Sequence, residues 1–303
     1  MRRAAACYNN RNDIIMCRSN MKEMIMEKIK SKQNEKIKKV CGLIASKRDR
    51  DAQGLFVCEG IRLCMDGVKT GLCPQETYIT EYALKKYPEI SEICGKSERA
   101  YLITNEIAEK ISDTDMPQGV FAVFKKLDNL KTAVKIRSGE FCETGGGKSR
   151  YVILSSLQDP GNMGAVMRTC EALGITGLII SADCPDIYAP KTIRASMGGL
   201  FRLPIYISPD IGGEILALRE QGVKVYAAAL ESGALSASGG EFAKTLAGSH
   251  LAAVIGNEGS GLSGDIVSAC TGSVMIPMRG PADSLNAAVA AGILIWEMTK
   301  NRD

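Results

Sequence analysis

Three short segments hold most of the residues able to do chemistry. They are Gln158-Asp159-Pro160-Gly161-Asn162-Met163-Gly164, Ile255-Gly256-Asn257-Glu258-Gly259-Ser260-Gly261-Leu262-Ser263, and Ile276-Pro277-Met278-Arg279-Gly280-Pro281-Ala282-Asp283-Ser284-Leu285-Asn286 with the apolar stretch that follows it. In each, an apolar run ends, glycines with small amide or hydroxyl residues follow, and a helical period begins. Such a junction collects backbone N–H donors and short polar side chains at a helix N-terminus, which is a place to hold a ligand. Other chemistries have little to draw on. His250 is the single histidine of the chain, and it precedes an apolar run after Gly248-Ser249, a position that suits a loop or strand edge. With no CxxC pair either, a zinc centre or a Ser-His-Asp or Cys-His arrangement is short of members, and no metal is expected.

The elements that must position these segments follow from the alternation of apolar and helical patterns after Tyr151. Strands are expected at Tyr151–Leu157, Gly177–Ser181, Leu203–Ile207, Val223–Ala229, Leu251–Ile255 and Ser273–Pro277. Helices are expected near Gly164–Leu173, Pro190–Met197, Gly212–Gln221, Gly240–Leu246, Leu262–Ala269 and Ser284–Lys300. Near-continuous apolar strands between helices imply a mostly parallel α/β sheet covered on both faces, with ligands at the carboxyl ends of the strands. All three segments lie at such ends.

The first half reads differently. Residues 1–20 carry no helical or strand period and are expected to form a disordered extension. From Met21 to about Ser46, apolar residues at Ile25, Ile29, Ile37, Val40 and Ile44 fit a helix whose other face is basic. Lys32, Lys36 and Lys39 on that stretch and Arg48 just beyond it are candidate contacts for an RNA phosphate backbone, against the plainer reading of a solvated face. Strands then fit Leu55–Cys58, Glu76–Thr80, Tyr101–Thr104 and Val120–Phe124, with helices between them. This makes a smaller α/β unit over residues 21–126, read as a binding domain in which Glu59 is structural and Arg62 is either structural or a further RNA contact. Residues 127–148 are polar and glycine-rich and read as a linker, so the second domain spans 149–303. The Gly147-Lys148-Ser149 triplet imitates the end of a phosphate-binding loop but precedes a strand instead of following one.

A chain of 303 residues with 45% hydrophobic content is long enough for two domains. Its net charge of +4 neither demands nor excludes nucleic acid. No run of about 18 apolar residues suggests a membrane span. Eleven cysteines, an odd number at irregular spacings, read as reduced thiols, and a soluble cytoplasmic protein with no membrane partner is expected.

The G-x-G-x-x-G fingerprint of dinucleotide folds is absent after the first strand of the second domain. What stands there instead is Asn162-x-Gly164-x-x-x-Arg168. With Gly256-Asn257-Glu258-Gly259-Ser260-Gly261-Leu262-Ser263, and with Ile276-Pro277-Met278 followed by Ser284-Leu285-Asn286 and Val289-Ala290-Ala291-Gly292, it resembles the three ordered motifs of the SpoU (TrmH) family of RNA ribose 2'-O-methyltransferases. The resemblance covers about residues 149–301. Ser31–Asn34, Phe56-Val57-Cys58-Glu59-Gly60 and Gln118-Gly119 more weakly resemble the L30e-like substrate-binding domain often joined to it. The stretch Arg194–Pro204 also resembles a family segment between motifs, which makes Arg194 a candidate RNA contact.

The resemblance implies a SPOUT-type domain with a trefoil knot, a homodimer, and S-adenosyl-L-methionine as cofactor. By motif position the cofactor would lie against Ala228, Ala229, Leu230, Gly256, Gly261, Ile276, Met278, Ser284, Leu285 and Asn286. Arg168 is the implied catalytic residue, with Asn162, Glu258, Ser284 and Asn286 holding the loops and the ribose. An arginine is effectively always protonated, so orienting a phosphate and stabilising developing negative charge suit Arg168 better than proton abstraction. Ribosomal RNA is the favoured substrate over transfer RNA. A non-catalytic RNA-binding protein and a nucleotide-dependent α/β enzyme remain as rivals from other classes.

Overall fold

The computed structural model describes residues 7–8, 14–18, 23–127, 129–138, 148–281 and 284–300. They fall into two compact units, one drawn from residues 1–127 with 188–194 and the other from 128–187 with 195–303. None of the described helices is long and apolar enough to cross a membrane.

The first unit is built on a mixed sheet of seven strands: β1 (Cys7–Tyr8), β2 (Ile14–Arg18), β3 (Glu23–Ile29), β4 (Leu55–Glu59), β5 (Glu76–Thr80), β6 (Arg99–Ile103) and β7 (Val120–Lys125), in the order β1-β2-β3-β6-β5-β7-β4. Strands β3, β6 and β5 run parallel, and the flanking pairs are antiparallel. The helix Glu35–Ala45 packs Ile37, Val40 and Leu43 into a core with Tyr78, Tyr101 and Phe121. Glu59 is structural, as expected. Its carboxylate accepts from Ser112 Oγ at 2.6 Å, Thr114 Oγ1 at 2.7 Å and the Asp113 amide at 3.0 Å, which pins that loop.

Two expectations for this half are corrected. Glu23–Ile29 is a strand held between β2 and β6, and the basic helix begins only at Glu35, where the Asn34 side chain accepts the Lys36 N–H at 2.9 Å. Ile25 and Ile29 fit a helical spacing, but both are β-branched, and pairing with β2 and β6 gives the strand's backbone partners on both sides. Within the supposed extension 1–20, Cys7–Tyr8 and Ile14–Arg18 are strands, ordered by the hairpin that β2 makes with β3. The other residues of 1–20 lie outside the described residues.

The second unit is a wholly parallel sheet of β8 (Arg150–Leu154), β9 (Gly177–Ser181), β10 (Ile205–Ser208), β11 (Lys224–Ala228), β12 (Leu235–Ser236), β13 (Leu251–Ile255) and β14 (Gly272–Met275), in the order β10-β9-β8-β13-β11-β14-β12. Every residue of β8, β9 and β13 is buried, as strands covered on both faces require. The expected linker 127–148 is corrected in part. Asn129–Ser138 is a helix, and Ala133 and Ile136, three residues apart on one face, are buried in the core with Tyr151 and Ile179.

Arg150 explains how three elements are fastened together. Its buried guanidinium donates to the carbonyls of Leu246 at 2.7 Å, Ser249 at 2.8 Å and Met298 at 2.9 Å. The first and last of these carbonyls belong to the final turns of the helices Gly240–Gly248 and Ala287–Thr299, where the helix dipole favours a cation.

Candidate functional site

In sheet order β8-β13-β11-β14, four neighbouring parallel strands release their chains at the same edge, and the three chemically rich segments are the loops that leave β8, β13 and β14. Local chemistry shapes each loop. After β8, Asp159 caps the helix Pro160–Ala172 by accepting the Asn162 N–H at 2.8 Å, with Pro160 at the first helical position where its missing N–H costs nothing. After β13, Asn257 and Gly261 exchange two backbone hydrogen bonds of 3.0 Å, and the Asn257 side chain accepts from the Gly259 and Ser260 amides at 2.8 and 3.0 Å. Gly256 has no room for a side chain there, since a Cβ would come within 2.5 Å of the Gly261 carbonyl. Gly261 adopts a left-handed φ of 69°, which favours glycine.

After β14 the helix begins at Ala287 rather than at Ser284, which corrects the expected start. Asn286 is the cap. Its Oδ1 accepts from the Ala288 and Val289 amides at 3.0 and 3.3 Å, completing more of the first turn than the hydroxyl of Ser284 could reach from two residues further back.

The three loops are tied by side chains. With Oδ1 of Asn286 committed to the helix, its Nδ2 donates to Asn162 Oδ1 at 3.0 Å, and Asn162 Nδ2 in turn donates to Glu258 Oε1 at 2.9 Å. Glu258 also accepts from the amides of Gln158 at 3.0 Å and Asp159 at 3.2 Å. An amide has one donor end and one acceptor end, so the relay runs in one direction only, from a helix N-terminus to a carboxylate. Burial alone would raise the Glu258 pKa, but the hydrogen bonds from Asn162 and the loop amides outweigh it and hold the carboxyl below its ordinary value.

The structure therefore brings Asn162, Glu258 and Asn286 into one network. Arg168 lies on the same helix as Asn162, exposed and without a hydrogen-bond or ion-pair partner among the described residues. Ser284 is exposed just ahead of the cap. Ala228, which ends β11, pairs with Val274 of β14, and the Ala229 amide donates to the Val274 carbonyl at 3.2 Å. Ala228, Ala229, Leu230, Gly256, Ile276 and Met278 thus lie at or just beyond the ends of three adjacent strands. Leu230 and Leu285 expose apolar side chains, at 63% and 37%.

The candidate RNA contacts are more scattered. Lys36 and Lys39 are engaged with Glu27 at 3.5 Å and Glu76 at 3.1 Å, and Lys32 lies 3.7 Å from Glu106. Arg194 pairs with Asp113 at 2.6 Å, whereas Arg48 and Arg62 are exposed. Sequence reasoning named Asp159 and Asn257 within the loops without giving them a role, and it missed Ser156. The Asp-Pro pair is a readable helix-start signal, but nothing local marks Ser156.

Residues 149–296 match the SpoU rRNA Methylase family, and residues 34–122 match the MRM3-like substrate binding domain. A chain of Staphylococcus haemolyticus assigned to the TrmH family of tRNA/rRNA methyltransferases is 33% identical over 250 residues, covering 82% of this chain and 96% of its own length. The 23S rRNA (guanosine(2553)-2'-O)-methyltransferase RlmP of Bacillus subtilis is 26% identical over 90% of this chain and 99% of its own. Among solved structures, the AdoMet-bound rRNA methyltransferase of Sinorhizobium meliloti superposes with a TM-score of 0.77 at 25% identity, covering 91% of this chain and 98% of that one.

Proposed function

The chain belongs to the SpoU (TrmH) family, and on that premise we propose that it methylates the 2'-hydroxyl of a ribose in structured RNA, with ribosomal RNA as substrate and S-adenosylmethionine as methyl donor. The observation that carries the reading is the relay from Asn286 through Asn162 to Glu258, which binds three separate loops into one rim at the carboxyl edge of a parallel sheet.

The strand-end residues suit the donor's chemistry. A flat base with polar edges is met by apolar side chains and backbone amides, and Leu230 and Leu285 are exposed while Ile276 and Met278 are half-buried. Ala228, Ala229, Leu230, Gly256, Gly261, Ile276, Met278, Ser284, Leu285 and Asn286 are the residues that would hold it. When bound, S-adenosylmethionine supplies a methyl group on a positively charged sulfur, open to in-line attack.

The protein's own task is then alignment. Arg168 presents an exposed guanidinium that pairs with an RNA phosphate and stabilises negative charge growing on the ribose oxygen. Asn162 and Asn286 fix the loops on either side, and Glu258 anchors both the relay and the start of the helix that carries Arg168. Arg48 and Arg62 in the first unit are the RNA contacts with the least internal competition, while Lys32, Lys36, Lys39 and Arg194 must first leave their carboxylates.

The same reading includes a homodimer, a knotted chain and a cytoplasmic location. Helix Ala287–Thr299 supports the first. It buries Ala291, Leu294, Ile295 and Met298 on one side and exposes Val289 and Trp296, at 51% and 54%, on the other. The sheet order supports the second, because β14 lies between β11 and β12, which are consecutive in sequence. Knots are rare in folded chains.

Stabilisation against heat by S-adenosylmethionine, and not by NAD or ATP, together with ribose 2'-O-methyl groups appearing in ribosomal RNA incubated with the protein, is the expected result. No thermal shift with the donor and no methyl transfer to any RNA would overturn the proposal.

A further inference from the structure

Outside the three motifs, a small cluster at the ends of β8 and β9 governs how the first catalytic loop leaves the sheet. Ser155 makes the closing backbone bond of the strand edge, to the Ile255 carbonyl at 2.9 Å. The next residue, Ser156, adopts φ 57°, one of two non-glycine residues with a left-handed backbone among the described residues. An L-residue with a side chain resists that conformation unless its surroundings fix it.

Here the surroundings do. Ser156 Oγ donates to Asp183 Oδ2 at 2.6 Å, the Ser156 amide donates to Ser181 Oγ at 2.8 Å, and the Ser181 hydroxyl donates its proton to Asp183 Oδ1. One carboxylate therefore holds both the side chain and, through Ser181, the backbone of Ser156. On the other side, the Ser156 carbonyl accepts from Asn257 Nδ2 at 2.8 Å and from Gln158 Nε2 at 3.1 Å. Two residues later the Gln158 amide reaches Glu258. The turn at Ser156 thus sets the approach of the loop that bears Asn162 and of the loop that bears Glu258.

We propose that Asp183 is a positioning residue, which holds Ser156 in the left-handed conformation and thereby aligns Asn162, Glu258 and Arg168 for the reaction. The hydrogen bonds from Ser156 and Ser181 also keep the Asp183 carboxyl below its ordinary range, so it remains a double acceptor at neutral pH. The catalytic part of this inference rests on the methyltransferase reading, whereas the part concerning the loop does not.

The test is a cycle of Asp183→Ala, Ser156→Gly and the double variant in the full chain. Glycine adopts the left-handed region without help, so it removes the need for the carboxylate. In Asp183→Ala, amide hydrogen exchange at Gln158 and Asp159 is expected to rise by about tenfold, with kcat falling by about tenfold while KM for S-adenosylmethionine changes little. In the double variant both the exchange protection and kcat return most of the way. Unchanged exchange and kcat in Asp183→Ala would overturn the proposal, and so would a loss that Ser156→Gly fails to correct, since the carboxylate would then act in some other way. Should Asp183→Ala lower the melting temperature too far for assay, Ser156→Ala, which keeps the strained backbone and loses the hydroxyl, carries the same expectations. If no variant and no wild-type sample methylates RNA, the methyltransferase reading fails, and the exchange data still decide the role of Asp183.

Discussion

Asn286 donates its side-chain amide to Asn162 at 3.0 Å across 124 positions of sequence, and the direction of that bond is dictated at both ends. The acceptor of Asn286 is taken by the helix it caps, and the donor of Asn162 is taken by Glu258. Asn162→Asp should therefore be worse than Asn162→Ala: aspartate cannot donate to Glu258 and sets two carboxylates facing one another. Single-turnover methylation should fall by about 100-fold for the alanine variant and further for the aspartate. Equal activity of the two would show that the polarity of the relay is irrelevant.

Arg168 makes no hydrogen bond or ion pair among the described residues, so Arg168→Ala should leave the melting temperature and S-adenosylmethionine binding nearly intact while methyl transfer drops by about 100-fold or more. Arg168→Lys keeps the charge but loses the planar fork and should recover only part of the rate. Wild-type turnover in the alanine variant would remove Arg168 from the mechanism.

Glu258 makes the loops sensitive to acid. Its folded-state pKa is lowered, so the stability it contributes is present in full above the ordinary carboxylate value and is lost as pH falls through the lowered one. A carboxyl carbon titration by NMR should place Glu258 below the ordinary glutamate value, and Asn162→Ala should move it back up. A Glu258 that titrates at the ordinary value in the wild type contradicts the relay.

At Gly256 the constraint is steric. Gly256→Ala places a Cβ 2.5 Å from the Gly261 carbonyl and 2.8 Å from the Leu262 amide, both backbone. A destabilisation of about 1–3 kcal/mol is expected, read by urea unfolding, with loss of the thermal shift produced by the methyl donor. Tolerance of alanine without either effect would mean that the loop is looser than its geometry shows.

For Arg150, removal of the guanidinium strands the carbonyls of Leu246, Ser249 and Met298 in the interior. Arg150→Met should lower stability by about 2–3 kcal/mol and loosen helix Ala287–Thr299 selectively, visible as faster amide exchange along it. Uniform exchange across the unit would argue that the helix is held by its apolar face alone.

Much of this was legible in the sequence, and the exceptions share a cause. Buried parallel strands announce themselves as short apolar runs, so β8, β9, β11 and β13 and the loops at their carboxyl ends could be placed from pattern alone. The loops stood out as polar, glycine-containing segments after strands, and the resemblance to the SpoU motifs singled out Asn162, Glu258 and Asn286 within them. Their mutual hydrogen bonds could not be read, since they join residues about a hundred positions apart. Asp183, Ser156 and Arg150 stayed hidden for the same reason: each looks ordinary among its sequence neighbours and acquires its role only from another strand or helix. The error at Glu23–Ile29 runs the other way, with a local helical spacing overridden by pairing to β6.

The place of β14 in the sheet has a consequence for biosynthesis. It pairs with β11 on one side and β12 on the other, so a position inside the sheet, next to its β12 edge, is filled by a strand made after both of its neighbours. Until β14 emerges, the edges of β11 and β12 that it will occupy have no partner, and the rim formed by Asn162, Glu258 and Asn286 lacks one of its three members. The nascent chain is thus inactive by construction and carries an open strand edge late into synthesis, a state in which a slow ribosome or a chaperone has most influence on the yield of folded enzyme.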